Sequence, residues 1–211
     1  MNPIRLIAAL AAALTLSACA AVETPTRNAP LETAAVAGAG LTFDVQAIRV
    51  TVPETLKVSE ANSYYPGGDI VWREDPLGDR YAQVQAIFET AMQQGVSEMG
   101  EGNLPVYLDV QVSRFHALTE KARYTIGGVH ALQFTYVLRN PETGEAYGEP
   151  KFVKADFKAF GGARAINAER NGITQKVRIV NQLAEVIRTE LTSADGYSAA
   201  NLGLIGAINQ L

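Results

Sequence analysis

Apolar and polar residues alternate along three central stretches of the chain, and this period of two predicts β-strands. In PVYLDVQVSRF the apolar positions are Val106, Leu108, Val110 and Val112. VHALQFTYVLRN repeats the pattern with Leu132, Phe134, Tyr136 and Leu138. KFVKADFKAF predicts a further strand whose buried positions are Val153, Ala155 and Phe157, with Lys154, Asp156 and Lys158 outward. The stretch NPETG predicts a hairpin turn before this last strand, because Gly144 can adopt the positive φ that such a turn requires.

One earlier strand and two helices complete the pattern. LTFDVQAIRVTV has Ile48, Val50 and Val52 at period two, which predicts a strand. Because of Pro53, this strand is expected either to end there or to lie at the edge of the sheet. The first helix is predicted to start at the cap Asp75 and to end at Gly100 and Gly102, with a stripe of Tyr81, Val84, Phe88, Ala91 and Met92. ITQKVRIVNQLAEVIRTEL predicts the second helix, with a stripe of Ile173, Val177, Val180, Ala184, Ile187 and Leu191.

The order of these elements, β-α-β-β-β-α, predicts an α+β fold. A sheet that is apolar on one face must cover that face, and the two one-sided helices are the available cover. We therefore expect a two-layer sandwich in which an antiparallel sheet of about four strands lies under two helices. This single domain spans residues 41–194, and Gly161-Gly162 is read as a flexible connection.

The N-terminus has the layout of a secretory signal peptide: Arg5, the apolar run LIAALAAALTL and then small residues. The run is shorter than the ~20 residues that a helix needs to cross a bilayer. LSAC, which contains the chain's single cysteine, resembles the bacterial lipobox, so we expect residues 1–18 to be removed and Cys19 to carry lipid. Two alternatives are cleavage by ordinary signal peptidase at Ala18-Cys19-Ala20, which would release a soluble periplasmic protein, and a buried structural or catalytic thiol.

The residues after the lipobox indicate a tether and a location. Residues 19–40 are rich in Ala, Thr, Pro and Gly and have no sustained period, so we expect a flexible segment. The formal net charge of -4 argues against nucleic acid and against electrostatic docking on anionic lipid. By resemblance to such lipoproteins, Ala20 in place of Asp implies the outer membrane, on its periplasmic side.

Few residues in the chain have the arrangement that catalysis or metal binding needs. His116 and His130 flank one loop, with Glu120 between them, but a metal site needs three or four ligands. Gly161-Gly162 lacks the Lys-Ser/Thr of a phosphate loop, and no G-x-S-x-G is present. We expect surface histidines, no catalytic, cofactor-binding or metal site, and no enzyme activity.

Two segments are candidates for contact with a partner. Tyr64 and Tyr65, which precede Pro-Gly-Gly, predict an exposed surface, whereas Trp72 predicts a core residue. The C-terminal residues 195–211 remain apolar, with a stripe of Leu204, Ile208 and Leu211 if helical. This tail either folds back on its own domain or enters a groove of a partner protein.

Four features of the chain are the lipobox, the DP before the first helix, the NPETG turn and FGG before a long final helix. With them, the chain resembles an uncharacterised family of alphaproteobacterial envelope lipoproteins, a domain of unknown function, over Leu41 to about Leu191. The order of elements is more distantly similar to auxiliary lipoproteins of outer-membrane transport and assembly systems. That resemblance implies a non-enzymatic accessory or adaptor that docks onto a protein partner in the envelope. The alternative is a binder of a lipid or other apolar ligand, held between the sheet and its helices.

Overall fold

A computed structural model describes residues 42–202 of the chain. Within them, the elements in chain order are β1 (Phe43–Thr51), β2 (Ile70–Val71), α1 (Arg80–Ser97), β3 (Leu104–His116), α2 (Glu120–Arg123), β4 (Gly128–Arg139), β5 (Lys151–Lys154), β6 (Phe157–Ala159), α3 (Gly162–Arg170) and α4 (Gln175–Thr192). Cys19, Leu204, Ile208 and Leu211 lie outside the described residues, so the predictions for lipidation and for the end of the tail stay predictions.

The α+β class with its covered sheet is confirmed, but the sheet is mixed and has six strands. β3 pairs with β4 in antiparallel fashion and with β1 and β2 in parallel fashion. The sheet is nevertheless four strands wide, because β1 and β2 pair with successive parts of β3, and β5 and β6 with different parts of β4. The parallel pairing follows from α1, which returns the chain between β1 and β3 as a crossover connection does.

The predicted strand KFVKADFKAF is broken at Ala155 and Asp156, which are both buried. The Asp156 carboxylate accepts a hydrogen bond of 2.9 Å from the backbone N–H of Leu132. A side chain therefore takes the place of a ladder carbonyl and the strand divides into β5 and β6. The prediction that Asp156 points outward was wrong, because the pairing with β4 is interrupted there.

Helix α1 covers one face of the sheet and has the predicted stripe, with Val84, Phe88, Ala91 and Met92 fully buried. The helix starts after the cap Asp79, whose carboxylate accepts from Ala82 N at 3.1 Å, and not after Asp75. Asp75 is instead engaged by the Trp72 indole at 2.8 Å and by Lys176 Nζ at 3.0 Å. Trp72 is a core residue, as predicted.

Helix α4 lies beside α1 but is rotated relative to the predicted face. Ile173 and Val177 are 47% and 40% exposed, and Ile179, Leu183 and Val186 are fully buried instead. The second half of the predicted stripe, Ala184, Ile187 and Leu191, is buried as expected. The rotation accompanies a close approach of the two helices at Gly95, where a Cβ would lie 2.5 Å from the Ile187 side chain.

The chain after α4 returns to the domain. Gly196 adopts a φ of +67°, and the next residue packs against the core. The Tyr197 backbone N–H donates to the Glu190 carboxylate at 3.1 Å, and its hydroxyl accepts from Gln182 at 3.1 Å. The first residues of the segment predicted as a tail are therefore held by their own domain.

Candidate functional site

A groove of about 420 Å³ opens at the end of the sheet, where β4 begins and β6 ends. Its walls come from the loop that contains Tyr64 and Tyr65, from α2 with the turn that follows, and from the start of α3. The lining side chains are Tyr64, Tyr65, Leu118, Ala122, Ile126, Val129, Lys158, Ala159, Phe160 and Arg164.

The tyrosine loop is fixed to the N-terminus of α2. Thr119, the buried cap of α2, donates its hydroxyl to the Ser63 carbonyl at 2.8 Å and accepts from Ala122 N at 3.2 Å. The Lys121 backbone N–H donates to the Asn62 side chain at 2.9 Å. The Lys121 ammonium lies 4.8 Å from the centre of the Tyr64 ring. The first wall is therefore built by pairing two segments that are distant in sequence.

The floor of the groove is a small hydrophobic cluster separate from the main core. Leu118, Ala122 and Ala159 form it, and each is at least nine-tenths buried. The β4–β6 pairing places Gly128 opposite Ala159, so the first residue of β4 lies beside this part of the floor. These side chains are apolar, and the two alanines leave space above them, so the floor is apolar and recessed.

Gly127 lets the turn after α2 meet the start of α3. Its φ is +74°, and a Cβ there would lie 3.0 Å from backbone atoms of Gly161. A side chain at this position would be strained and would also push the two walls apart. Gly161-Gly162, predicted as a flexible connection, instead caps and begins α3.

The charges at the groove are cationic. Lys158 and Arg164 line it and are exposed, and the lining contributed by residues 42–202 includes no acidic side chain. Among residues 42–202, neither of these two side chains forms a salt bridge, whereas Arg73, Arg80 and Arg123 each pair with a carboxylate.

The Phe160 ring carries a guanidinium on each face. The Arg178 and Arg164 guanidinium carbons lie 3.5 and 4.0 Å from its centroid. Burial, and then the charge of Arg164, lower the pKa of Arg178. Arg178 also donates to the Lys158 carbonyl at 2.8 Å, which fixes the edge of β6.

The two histidines do not form a site. His116 lies opposite Ala131 in the β3–β4 register, and since neighbouring residues on a strand point to opposite faces, His130 points away from it. His130 is 1% exposed, so the prediction of a surface histidine was wrong for it. Glu120 pairs with Arg73 at 2.6 Å. No group of three or more His, Cys, Asp or Glu within the described part of the chain could hold a metal ion.

Other concave regions of the described residues differ from the groove in size and in lining. Beyond Phe160 is a cavity of about 10 Å³, lined in part by His130 and Gln175, which is roughly the volume of one water. Another, of about 530 Å³, lies over the open face of the sheet, where Asp109 is held by Arg49 and Arg139. Between the sheet and helices α1 and α4, large fully buried side chains such as Phe88, Phe115 and Phe134 fill the layer.

Sequence reasoning found only one side of this groove. Tyr64 and Tyr65 are on its rim, 40% and 74% exposed. It missed Lys158 and Arg164, and it did not predict helices α2 and α3. The sequence feature that could have indicated the rest of the groove is the two Gly-Gly pairs at 127–128 and 161–162, because paired glycines allow backbones to approach closely.

The fold is that of a two-layer α+β domain, and comparison with known proteins identifies its family. The profile of a family of unknown function, DUF6778, matches residues 43–207, and the chain belongs to that family. The expected membership of a family of unknown function is thereby confirmed, and the match extends beyond Leu191. No curated protein matches the chain.

A crystal structure of a candidate lipoprotein from Caulobacter crescentus CB15 is a distant structural neighbour. It is 14% identical, with a TM-score of 0.33, and the alignment covers 51% of this chain and 79% of that one. Within residues 42–202, no helix combines the length and apolarity that crossing a bilayer requires.

Proposed function

We propose that this protein is a lipid-anchored, non-enzymatic accessory of the bacterial envelope that acts by binding a protein partner at the rim of the groove. The observation that carries the proposal is the pair Tyr65 and Ile126, which are 74% and 73% exposed on the same rim. Large apolar side chains exposed together favour a contact surface, and tyrosine is enriched at such surfaces. With Lys121 and Arg164 nearby, the rim suits a partner whose apolar patch is flanked by carboxylates.

The anchor in this proposal is Cys19, with residues 1–18 removed and 19–40 as the tether, on the periplasmic side of the outer membrane. The support is the sequence LSAC after an apolar run. In labelling with radioactive palmitate, Cys19→Ala is expected to carry no label and to accumulate as precursor or as protein cut near Ala20. Equal labelling of the wild type and the variant would contradict the anchor.

Site-specific photocrosslinking tests the partner surface. A benzophenone amino acid at position 65 is expected to give one discrete adduct in native membranes, and Ile126→Asp should abolish it. Position 77 is the matched control, because Leu77 is 81% exposed but does not line the groove. The same adduct from position 77, or one insensitive to Ile126→Asp, would refute docking at the rim.

A second candidate function is the binding of an apolar ligand. The groove favours it, since about 420 Å³ lies within the ~300–1,000 Å³ of typical ligand sites. The ligand would lie at the end of the sheet, over Leu118, Ala122 and Ala159, and not between the sheet and its helices. The two candidates are compatible, because the rim side chains remain exposed above the floor.

A further inference from the structure

We propose that the groove binds a single-chain anionic amphiphile, with its hydrocarbon chain on the floor and its head group at Lys158 and Arg164. The inference rests on the second candidate function and names the ligand class. It combines three observations: an apolar recess, two cations that form no salt bridge within residues 42–202, and a sheet edge on which the Lys158 carbonyl already accepts a hydrogen bond.

The recess suits a hydrocarbon chain. Leu118, Ala122 and Ala159 form a cluster of their own below it, and Val129 adds a fully apolar side chain from β4. None of these four side chains has a hydrogen-bonding group. A ligand that lies on them must therefore be apolar at that end, because an unpaired polar group would lose its contacts with water.

The cations suit an anionic head group. In a chain with a net charge of -4, Lys158 and Arg164 line the groove without any salt bridge in the described residues. Arg178 reinforces them from the other face of Phe160, so two guanidiniums of like charge lie close together. An anion bound by Lys158 and Arg164 would offset the repulsion between Arg164 and Arg178 and would accept charge-assisted hydrogen bonds.

The edge of β6 argues against an added peptide strand as the occupant. A peptide that extends a sheet needs free backbone groups on the edge strand. The Lys158 carbonyl already accepts from Arg178 at 2.8 Å, and β6 is only three residues long. A ligand held by side chains and by apolar contact fits this site better than one held by backbone hydrogen bonds.

Photoaffinity labelling of the full-length protein in native membranes tests the inference. The probes are dodecyl phosphate with a diazirine on its chain and dodecanol with the same diazirine. Mapping of labelled residues separates the groove from general exposure to lipid. The phosphate probe is expected to label the groove near Ile126 and Val129 about tenfold more than the alcohol, as the loss of a charged hydrogen bond predicts.

Variants identify the head-group site. Lys158→Gln with Arg164→Gln should lower labelling by the phosphate probe about tenfold. The matched control is Lys57→Gln with Arg170→Gln, which removes the same charge from exposed residues outside the groove and should change nothing. The comparison of the two probes on the wild type stands even if the double variant folds poorly.

The other outcomes overturn the inference in distinguishable ways. Equal groove labelling by both probes, unaffected by the double variant, would refute an anionic ligand but keep an apolar one. Absence of groove labelling with either probe would refute the ligand site altogether. Displacement of the label by a peptide of alternating leucine and glutamate, but not by unlabelled dodecyl phosphate, would assign the groove to a protein segment.

Discussion

Arg80, in the first turn of helix α1, holds the carboxylate of Glu60 with two hydrogen bonds of 2.6 and 3.1 Å. The Arg73 guanidinium also donates a hydrogen bond of 2.5 Å to the Glu60 backbone carbonyl. The hydrogen bond from Arg80 is the main cause of a lowered pKa at Glu60. Because Glu60 precedes Tyr64 by four residues, this contact fixes the loop that forms one wall of the groove.

Glu60→Gln should therefore loosen that loop. Arg80 is 5% exposed and keeps its bonds to the Asp75 and Pro76 carbonyls, so we expect a loss of about 1–2 kcal/mol in the free energy of unfolding. Hydrogen exchange should quicken at the backbone amides of residues 57–70. Glu54→Gln is the control and should change neither quantity, because Glu54 is exposed and forms no salt bridge with any residue of the described part of the chain. Unchanged exchange in the Glu60 variant would show that the pair does not hold the loop.

Gly95→Ala should destabilise the protein although alanine favours helices. A methyl group at this position would clash with the Ala184 carbonyl oxygen and the Ile187 side chain on α4. We expect a net loss of about 1–3 kcal/mol in denaturant unfolding, because overpacking outweighs the gain in helix propensity. A Cβ at Gly100 would have nothing within 4 Å of it, so Gly100→Ala should leave the unfolding free energy nearly unchanged. A more stable Gly95 variant would mean that α1 and α4 are farther apart than described.

The buried face of α4 can be tested with two alanine substitutions. Ile179→Ala removes a fully buried side chain and should cost about 2–5 kcal/mol. Val177→Ala, at a position that is 40% exposed, should change the unfolding free energy by less than about 1 kcal/mol. Similar melting temperatures for the two variants would mean that Val177 is as buried as Ile179, as the sequence pattern predicts.

His130 should make the protein sensitive to acid. Burial, and then the charges of Arg178 and Arg123, lower the pKa of His130 to about 3. An unfolded histidine titrates near 6.5, so the unfolded chain binds a proton that the native state does not, and stability falls as the pH drops below about 6.5.

The size of this effect follows from the same linkage. Between pH 7 and about 4.5, wild-type protein should lose roughly 2–3 kcal/mol more than His130→Gln, measured by urea unfolding at each pH. Burial raises the pKa of Asp156, which acts in the opposite direction but is common to both proteins. An equal loss in the two proteins would show that His130 is protonated in the folded state.

Local patterns predicted the interior of the fold better than its connections. The alternation of Val106, Leu108, Val110 and Val112 identified β3 and its buried face, because one face of that strand meets the core along its whole length. The parallel pairing of β1 with β3 was not predictable in this way, since a strand's own pattern does not state its partner's direction.

The errors have particular physical causes. In α4, Val177 and Ile179 belong to two different apolar stripes, and the packing of the helix, not its own pattern, decides that Ile179 is buried and Val177 is exposed. Asp156 looked like an outward residue because its bond to Leu132 N is a tertiary contact. Only one wall of the groove was predicted, because Tyr64 precedes Lys158 and Arg164 by more than ninety residues. Contacts of the Tyr64 loop with α2 and the β4–β6 pairing bring these segments together.

The parallel register of β1 and β3 also sets an order of events as the chain emerges. Thr51 pairs with Gln111, so β1 cannot complete its ladder until some sixty further residues have reached the compartment in which the domain folds. Pairings over such long stretches raise the contact order and slow folding. During that interval the apolar face of Val45, Ile48 and Val50 is open to other chains, which is the condition under which nascent proteins aggregate or engage chaperones.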